Sequence, residues 1–304
     1  MLFSILIPVI KVEHLRECLR SAIVQSFTDY EIIVVDDWAP EPVSAIVEEF
    51  RDERFHYVRT PKNLGDKDPT ATWNFALNQA QGEFIVLLGD DDAISSNFLA
   101  EMERVICAYP ESDVFRARLA LVDDAGKVFQ YGTSLPTTES WDEMLYFRLM
   151  YSYSRSQSTS EMCIRASALR AIGGYASLPL ALGSDDLTWL LLCLKQPIVS
   201  SNRAFAYWRR HASSLSFLKR HSPEYYRAML ELNERLLEII RQNEAPVISK
   251  AILLSIVTSR IRDFKLMQTR SAARLILAAT ATALMPPIVT SFLNRLKSRS
   301  ASSC

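Results

Sequence analysis

Five short runs, at residues 2–7, 31–35, 55–59, 83–88 and 113–117, are rich in Ile, Val, Leu and Phe, and segments with helical spacing separate them. Short apolar runs of this kind suit strands covered on both faces, and their alternation with helices predicts an α/β domain on a largely parallel sheet. The first connecting helix is plain: Leu15, Cys18, Leu19, Ala22 and Ile23 recur at i, i+3, i+4, while Glu13, Arg16, Glu17 and Arg20 take the other face. A second opens at Pro69, where a missing N–H costs nothing, and stacks Trp73, Ala76, Leu77 and Ala80.

After about residue 118 the pattern loosens, with turn chemistry at residues 123–126 and a Ser/Tyr-rich stretch at 151–160. Helical spacing returns at 167–172 and 186–194. Ser222, Pro223 and Glu224 then read as an N-cap, a first-turn proline and a dipole-matched acid. Beyond them Tyr226, Met229, Leu230, Leu236, Leu237 and Ile240 form one apolar stripe, so the last third is expected to be a helical appendage.

Charge narrows the partners. Lys+Arg number 34 against 35 Asp+Glu, which disfavours a uniformly basic nucleic-acid binder. From Lys250 to Cys304, nine Lys/Arg stand against one Asp, a net of +8 that leaves −9 for the body. Five cysteines without C-x-x-C or zinc-finger spacing read as reduced cytosolic thiols. The opening Leu2 to Pro8 has neither a basic segment before it nor a small-residue cleavage site after it, and reads as a first strand.

In an open parallel sheet the ligand sits beyond the carboxyl ends of the strands, and acidic residues gather at such places here. Asp36-Asp37 follow one run, Gly89-Asp90-Asp91-Asp92 another, and Asp185-Asp186 come after the Gly173-Gly174 turn. Acids after a strand also serve as helix caps or solvated turns, and the dipole at a helix start explains Asp185-Asp186 without any function. If the three clusters converge, they repel one another unless a cation joins them, and all-oxygen ligands suit Mg²⁺ or Mn²⁺. No G-x-G-x-x-G follows the first strand, and neither G-x-x-x-x-G-K-[ST] nor G-x-S-x-G occurs, which disfavours a dinucleotide oxidoreductase, a P-loop NTPase and a serine hydrolase.

The order Phe3 to Pro8, Leu19 to Gln25, Glu31 to Asp37, Asn63-Leu64-Gly65 with Asn74, and Gly82 to Leu88 running into the acidic stretch resembles family 2 glycosyltransferases of the GT-A fold. Ile172 to Tyr175, Ser184-Asp185-Asp186 and Tyr207 to Ser216 resemble the later motifs, so the likeness covers about residues 1–216. It implies a Rossmann-like nucleotide-binding half at 1–118, an acceptor and catalytic-base half at 119–216, and a helical basic tail at 217–304. It also implies an inverting transfer from a nucleotide-diphosphate sugar to a glycan hydroxyl in bacterial surface polysaccharide synthesis. Asp186, with Asp185 beside it, takes the general-base position. Pro8, Asp36, Asp37, Asp90, Asp91, Arg209 and Arg210 fall at donor-binding positions, with Asp37 matched to the reader of the base. Asp91, Asp92 and His211 are expected nearest a Mn²⁺ or Mg²⁺ ion. The sequence departs from the family at Trp38-Ala39-Pro40, where small residues are usual, and at Gly89, which replaces the first Asp of the D-x-D element. Either Asp90 and Asp92 form that pair, or Asp91 binds metal while Asp90 takes the ribose. A sugar-nucleotide nucleotidyltransferase and an inactive nucleotide-sugar-binding subunit are the competing functions.

Residues 275–293 carry no charged side chain and have basic residues on both flanks. Spanning a bilayer, lying on its surface and packing as a soluble helix compete for this stretch. Pro286-Pro287 and the hydroxyl residues favour a peripheral helix on an anionic membrane surface. The expected location is the cytoplasmic face of an inner membrane, where the acceptor would include glycans carried on a polyprenyl lipid.

Overall fold

The computed structural model describes residues 1–66, 68–150, 156–210 and 222–283, with side chains of the last helix as far as Thr269. All five expected strands are present: β1 (Phe3–Val9), β2 (Tyr30–Asp36), β3 (Phe55–Arg59), β4 (Phe84–Leu87) and β6 (Val114–Val122). Between them lie α1 (Leu15–Ile23), α2 (Val43–Glu48), α3 (Pro69–Gln79), the short β5 (Ala93–Ile94) and α4 (Phe98–Ala108). Then come β7 (Val128–Tyr131), β8 (Thr138–Glu139), α5 (Trp141–Met150), β9 (Met162–Arg165), α6 (Ala166–Ala171), α7 (Ser184–Leu192), β10 (Ile198–Arg209), α8 (Pro223–Gln242) and α9 (Lys250–Ala283).

One sheet runs in the order β3-β2-β1-β4-β9-β6-β10-β5, with β7 on β6 and β8 on β10. Its first four strands are parallel, as expected. The second half is mixed: β9 lies antiparallel between β4 and β6, while β6 and β10 are parallel to each other. The sequence did not disclose β9, because its partners lie far away in the chain and its four residues give no periodicity to read. Pro8 sits inside central β1, a position where a missing N–H would normally break a ladder. Here β4 pairs only as far as Leu6 with Leu87, so Pro8 falls beyond that partner.

Successive residues of the strands divide between two cores, the period-2 rule acting on a sheet covered twice. Ile5, Ile7, Ile32, Val34 and Val86 face α1, α2 and α4. Leu6, Ile33, Val35, Ile85 and Leu87 face α3 and the helices from α5 onward. The C-terminal helices belong to this second core through Leu232, Leu236, Ile239 and Ile240 of α8 and Leu253 and Val257 of α9. The expected cap forms, with Ser222 Oγ accepting from the Tyr225 amide at 3.1 Å. Residues 284–293 of the uncharged stretch lie outside the described residues, as do the side chains from residue 270. Among the described residues no helix is long and apolar enough to cross a membrane.

Candidate active site

The parallel strands β1, β2 and β4 end on one side of the sheet, where Asp36-Asp37 close β2 and Asp90 to Asp92 follow β4. Asp90 turns toward the loop after β1, its Oδ2 accepting the amides of Ile10 at 2.9 Å and Lys11 at 3.0 Å. Asp92 turns inward and is buried. Its Oδ2 accepts Ser160 Oγ at 2.6 Å and Ser158 Oγ at 3.3 Å, and its Oδ1 accepts the Arg209 amide at 2.9 Å. Between them Asp91 is half-buried, and its carbonyl accepts from Arg209 Nε at 2.8 Å. Burial first, and then the charge of Asp91, push both Asp90 and Asp92 well above the usual carboxylate range. Ser160 also accepts the Gly89 amide at 3.0 Å, and a Cβ at Gly89 would come within 3.2 Å of both Asp91 and Asp92 oxygens, so Gly89 permits the tight turn.

Arg209, expected at the donor, has a different task. It is buried, and four of its five N–H groups are held by Asp91 O, Asp123 O, Asp124 O and Glu17 Oε2, the last at 2.6 Å. A guanidinium so engaged braces the acidic loop and has no fork left for a phosphate. Arg210 is exposed, with its guanidinium 4.6 Å from the Trp208 ring centroid. His211 lies outside the described residues.

At the end of β2 the two acids are structural keystones. Asp36 accepts the Ala39 amide at 3.0 Å and the Tyr57 hydroxyl at 2.8 Å. Burial and that bond push the Tyr57 phenol up to about 12. Asp37 is 1% exposed, and its oxygens accept Thr60 Oγ1, the Leu64 and Gly65 amides and Thr72 Oγ1 at 2.6–2.8 Å. Four donors fill the four lone-pair sites of a carboxylate, so Asp37 orders the 60–65 loop and has none left for a base. Beside it Trp38 adopts φ 65°, a left-handed conformation that favours glycine and strains a residue with a bulky side chain. Its half-exposed ring is pinned by an Nε1 bond to Thr60 O at 3.0 Å and by the Arg59 guanidinium 4.6 Å from the ring centroid.

Asp185 and Asp186 open α7 after Gly183, whose φ of 83° makes the turn into the helix. Both line a cavity of about 430 Å³ walled by α3, α5, α7, α8, α9 and β10, with Trp73, Arg148, Trp208, Tyr225 and Arg260 among its lining residues. Arg148 Nε donates to Asp186 Oδ1 at 2.7 Å, and this pair raises the Arg148 pKa. Burial, reinforced by the neighbouring Asp186, pushes the Asp185 carboxyl upward. Ser158 lines the same cavity and donates to Asp92, which joins the two acidic clusters through one short segment. The sequence shows that segment only as part of the Ser/Tyr-rich stretch at 151–160, with no role attached, and gives Arg148 no separate reading. Neither left a local signal, because their partners are 66 and 38 residues away.

Among the described residues no three His, Cys, Asp or Glu side chains converge on one point. The residues still fit a cation of the Mg²⁺ class, which takes one or two protein carboxylates and completes its shell with substrate phosphates and water. Asp91 stands between two acids already turned to protein donors, and its charge adds to the burial that raises both of them.

Residues 4–166 match the family described as Glycosyl transferase family 2. A relative from Staphylococcus aureus, the poly(ribitol-phosphate) beta-N-acetylglucosaminyltransferase TarS, is 32% identical over 130 residues, which are 41% of this chain and 22% of that protein. The chain thus matches about a fifth of the length of that curated relative. Among solved structures, S. aureus TarS 1–349 in complex with UDP-GlcNAc superposes with a TM-score of 0.66 at 21% identity, covering 86% of this chain and 72% of the other. The mannosyltransferase PcManGT from Pyrobaculum calidifontis, in complex with GDP-Man and Mn²⁺, gives 0.57 at 17% identity, covering 95% and 82%. These likenesses show the GT-A fold.

Proposed function

Since the chain belongs to glycosyl transferase family 2, we propose that it moves a sugar from a nucleoside-diphosphate donor to a hydroxyl of a bacterial surface glycan, with inversion at the anomeric carbon. The observation that carries this reading is the Ser158 bridge, which sets the acidic loop after β4 against the cavity that holds Asp185 and Asp186. A donor whose diphosphate lies at Asp91 would present its sugar toward that cavity.

Within this reading Asp186 is the general base. The bond from Arg148 Nε fixes one carboxylate oxygen and leaves the other to take the proton of the acceptor hydroxyl as the hydroxyl attacks the anomeric carbon. A single displacement gives inversion. Asp90, by holding the Ile10 and Lys11 amides, keeps the loop after Pro8 against the acidic turn and forms one side of the ribose cleft. Trp38 and the 60–65 loop ordered by Asp37 form the floor on which the base rests. A divalent cation at Asp91, Mn²⁺ or Mg²⁺, would neutralise charge growing on the departing diphosphate. The Mn²⁺ in the PcManGT complex supports this choice of ion. The uncharged stretch at 275–293 with its basic flanks supports a peripheral site on the cytoplasmic face of the membrane, where a polyprenyl-linked acceptor would be within reach.

The test is donor hydrolysis and transfer across a panel of UDP-, GDP- and CDP-sugars with and without Mn²⁺. Asp91→Asn should keep the fold, since the side chain is only half-buried, and lose both metal-dependent nucleotide affinity and turnover. A variant with full activity and no metal requirement would remove the proposal.

A further inference from the structure

Two guanidinium groups line the cavity beside Asp185 and Asp186, and they differ in what they hold. Arg148 is matched to Asp186. Arg260, on α9, donates Nε to Asn233 Oδ1 at a long 3.2 Å and lies with its guanidinium carbon 5.6 Å from the Phe264 ring centroid. Among the described residues its two terminal nitrogens have no hydrogen-bond partner, and it enters no ion pair. Asn233 is fully buried and anchored by its own Nδ2 bond to Met229 O at 2.6 Å, so it holds the Nε side of the guanidinium and leaves the outer fork open. Burial and then the like charge of Arg148 lower the Arg260 pKa, partly offset by Tyr225 and Asp186, and an arginine stays charged. A charged fork that is half-buried, positioned by a buried amide and without a bonded partner on its outer side is set to meet an arriving anion.

We propose that Arg260 binds a phosphate group of the acceptor, so that this transferase glycosylates a phosphate-bearing sugar or polyol. The inference rests on reading this cavity as the acceptor site. Its place in the site supports the acceptor over the donor: Arg260 shares the cavity lining with Asp185 and Asp186, whereas Asp37, Asp90 and Asp91 are not part of that lining. A planar fork suits two oxygens of one phosphate, and it would hold the acceptor by a group remote from the hydroxyl that reacts.

The test uses the full chain in calorimetric titrations, with Mn²⁺ and whichever of UDP, GDP or CDP binds best held at saturation. Glucose 1-phosphate should then bind about tenfold or more tightly than methyl glucoside, as a charge-assisted bond implies. Added NaCl should narrow the gap. Arg260→Gln should erase the preference, and Arg260→Lys should keep part of it. Equal binding of the two probes by the wild type overturns the proposal, as does a preference that survives in Arg260→Gln. Loss of nucleoside-diphosphate affinity in Arg260→Gln with the probe preference intact also overturns it, because the phosphate read would then be the donor's. If Arg260→Gln does not fold, the wild-type comparison and Arg260→Lys decide. Failure of every nucleoside diphosphate to bind would strike at the glycosyltransferase reading itself, separately from Arg260.

Discussion

The carboxylates of the site differ in what surrounds them, and single substitutions should separate them. Asp186→Asn preserves size and can still accept from Arg148, but it cannot take a proton. Its kcat should fall by roughly 10²–10⁴ while donor affinity is largely kept. If donor affinity collapses and kcat at saturation survives, Asp186 is a binding residue and Asp185 becomes the candidate base. Glu161 makes a different point. It is 2% exposed, its Oε1 has no hydrogen-bond partner among the described residues, and burial pushes its carboxyl from 4.5 up to about 8. The folded protein therefore keeps a proton that the unfolded chain releases. That contribution to stability is full below about pH 4 and is lost as pH rises through about 8. Melting temperatures of the wild type should accordingly drop more steeply between pH 5 and 8.5 than those of Glu161→Gln, which is neutral throughout; parallel slopes would contradict this.

At the level of elements, the turn into α7 sets where Asp185 and Asp186 point. Gly183 stands at φ 83°, and a Cβ there would meet Leu232 Cδ2 of α8 at 2.6 Å. Gly183→Ala should lower stability by more than about 1 kcal/mol through the backbone alone, visible as a depressed melting temperature in calorimetry. An unshifted transition would mean that the turn relaxes freely. Elements of this kind also show what could be read in advance. The parallel half of the sheet, the helix starts at Pro69 and Ser222 and the acids at the ends of β2 and β4 were legible because each is a short pattern within one segment. The brace of Ser158 and Ser160 on Asp92 was not legible, since it joins residues 66 and 68 apart within a stretch that looks like plain Ser/Tyr-rich loop. Arg209 misled for the same reason. A pair of arginines in a loop resembles a phosphate site until packing shows one guanidinium facing inward.

For the molecule as a whole, the question is how much chain the site needs. Ending the chain before Ser271 removes none of the described side chains that line the cavity, so donor hydrolysis should persist while binding to anionic vesicles is lost. Aggregation of that truncated chain would place the end of α9 in the core instead. Ending it before Ser222 should abolish folding, because Leu236, Ile239 and Ile240 leave their places in the second core and α7 loses the surface it rests on. Solubility of such a protein, measured by sedimentation, would show that the helical pair is dispensable.

That dependence has an evolutionary side. The stretch matching the family stops at residue 166, before α7, α8 and α9, which carry Asp185, Asp186 and Arg260 and build part of the wall around them. An exchange of these helices would therefore leave the donor-handling half intact while replacing, on the proposed reading, part of the acceptor wall and the general base together. Chimeras joined in the segment before α7 would be the laboratory counterpart of that exchange.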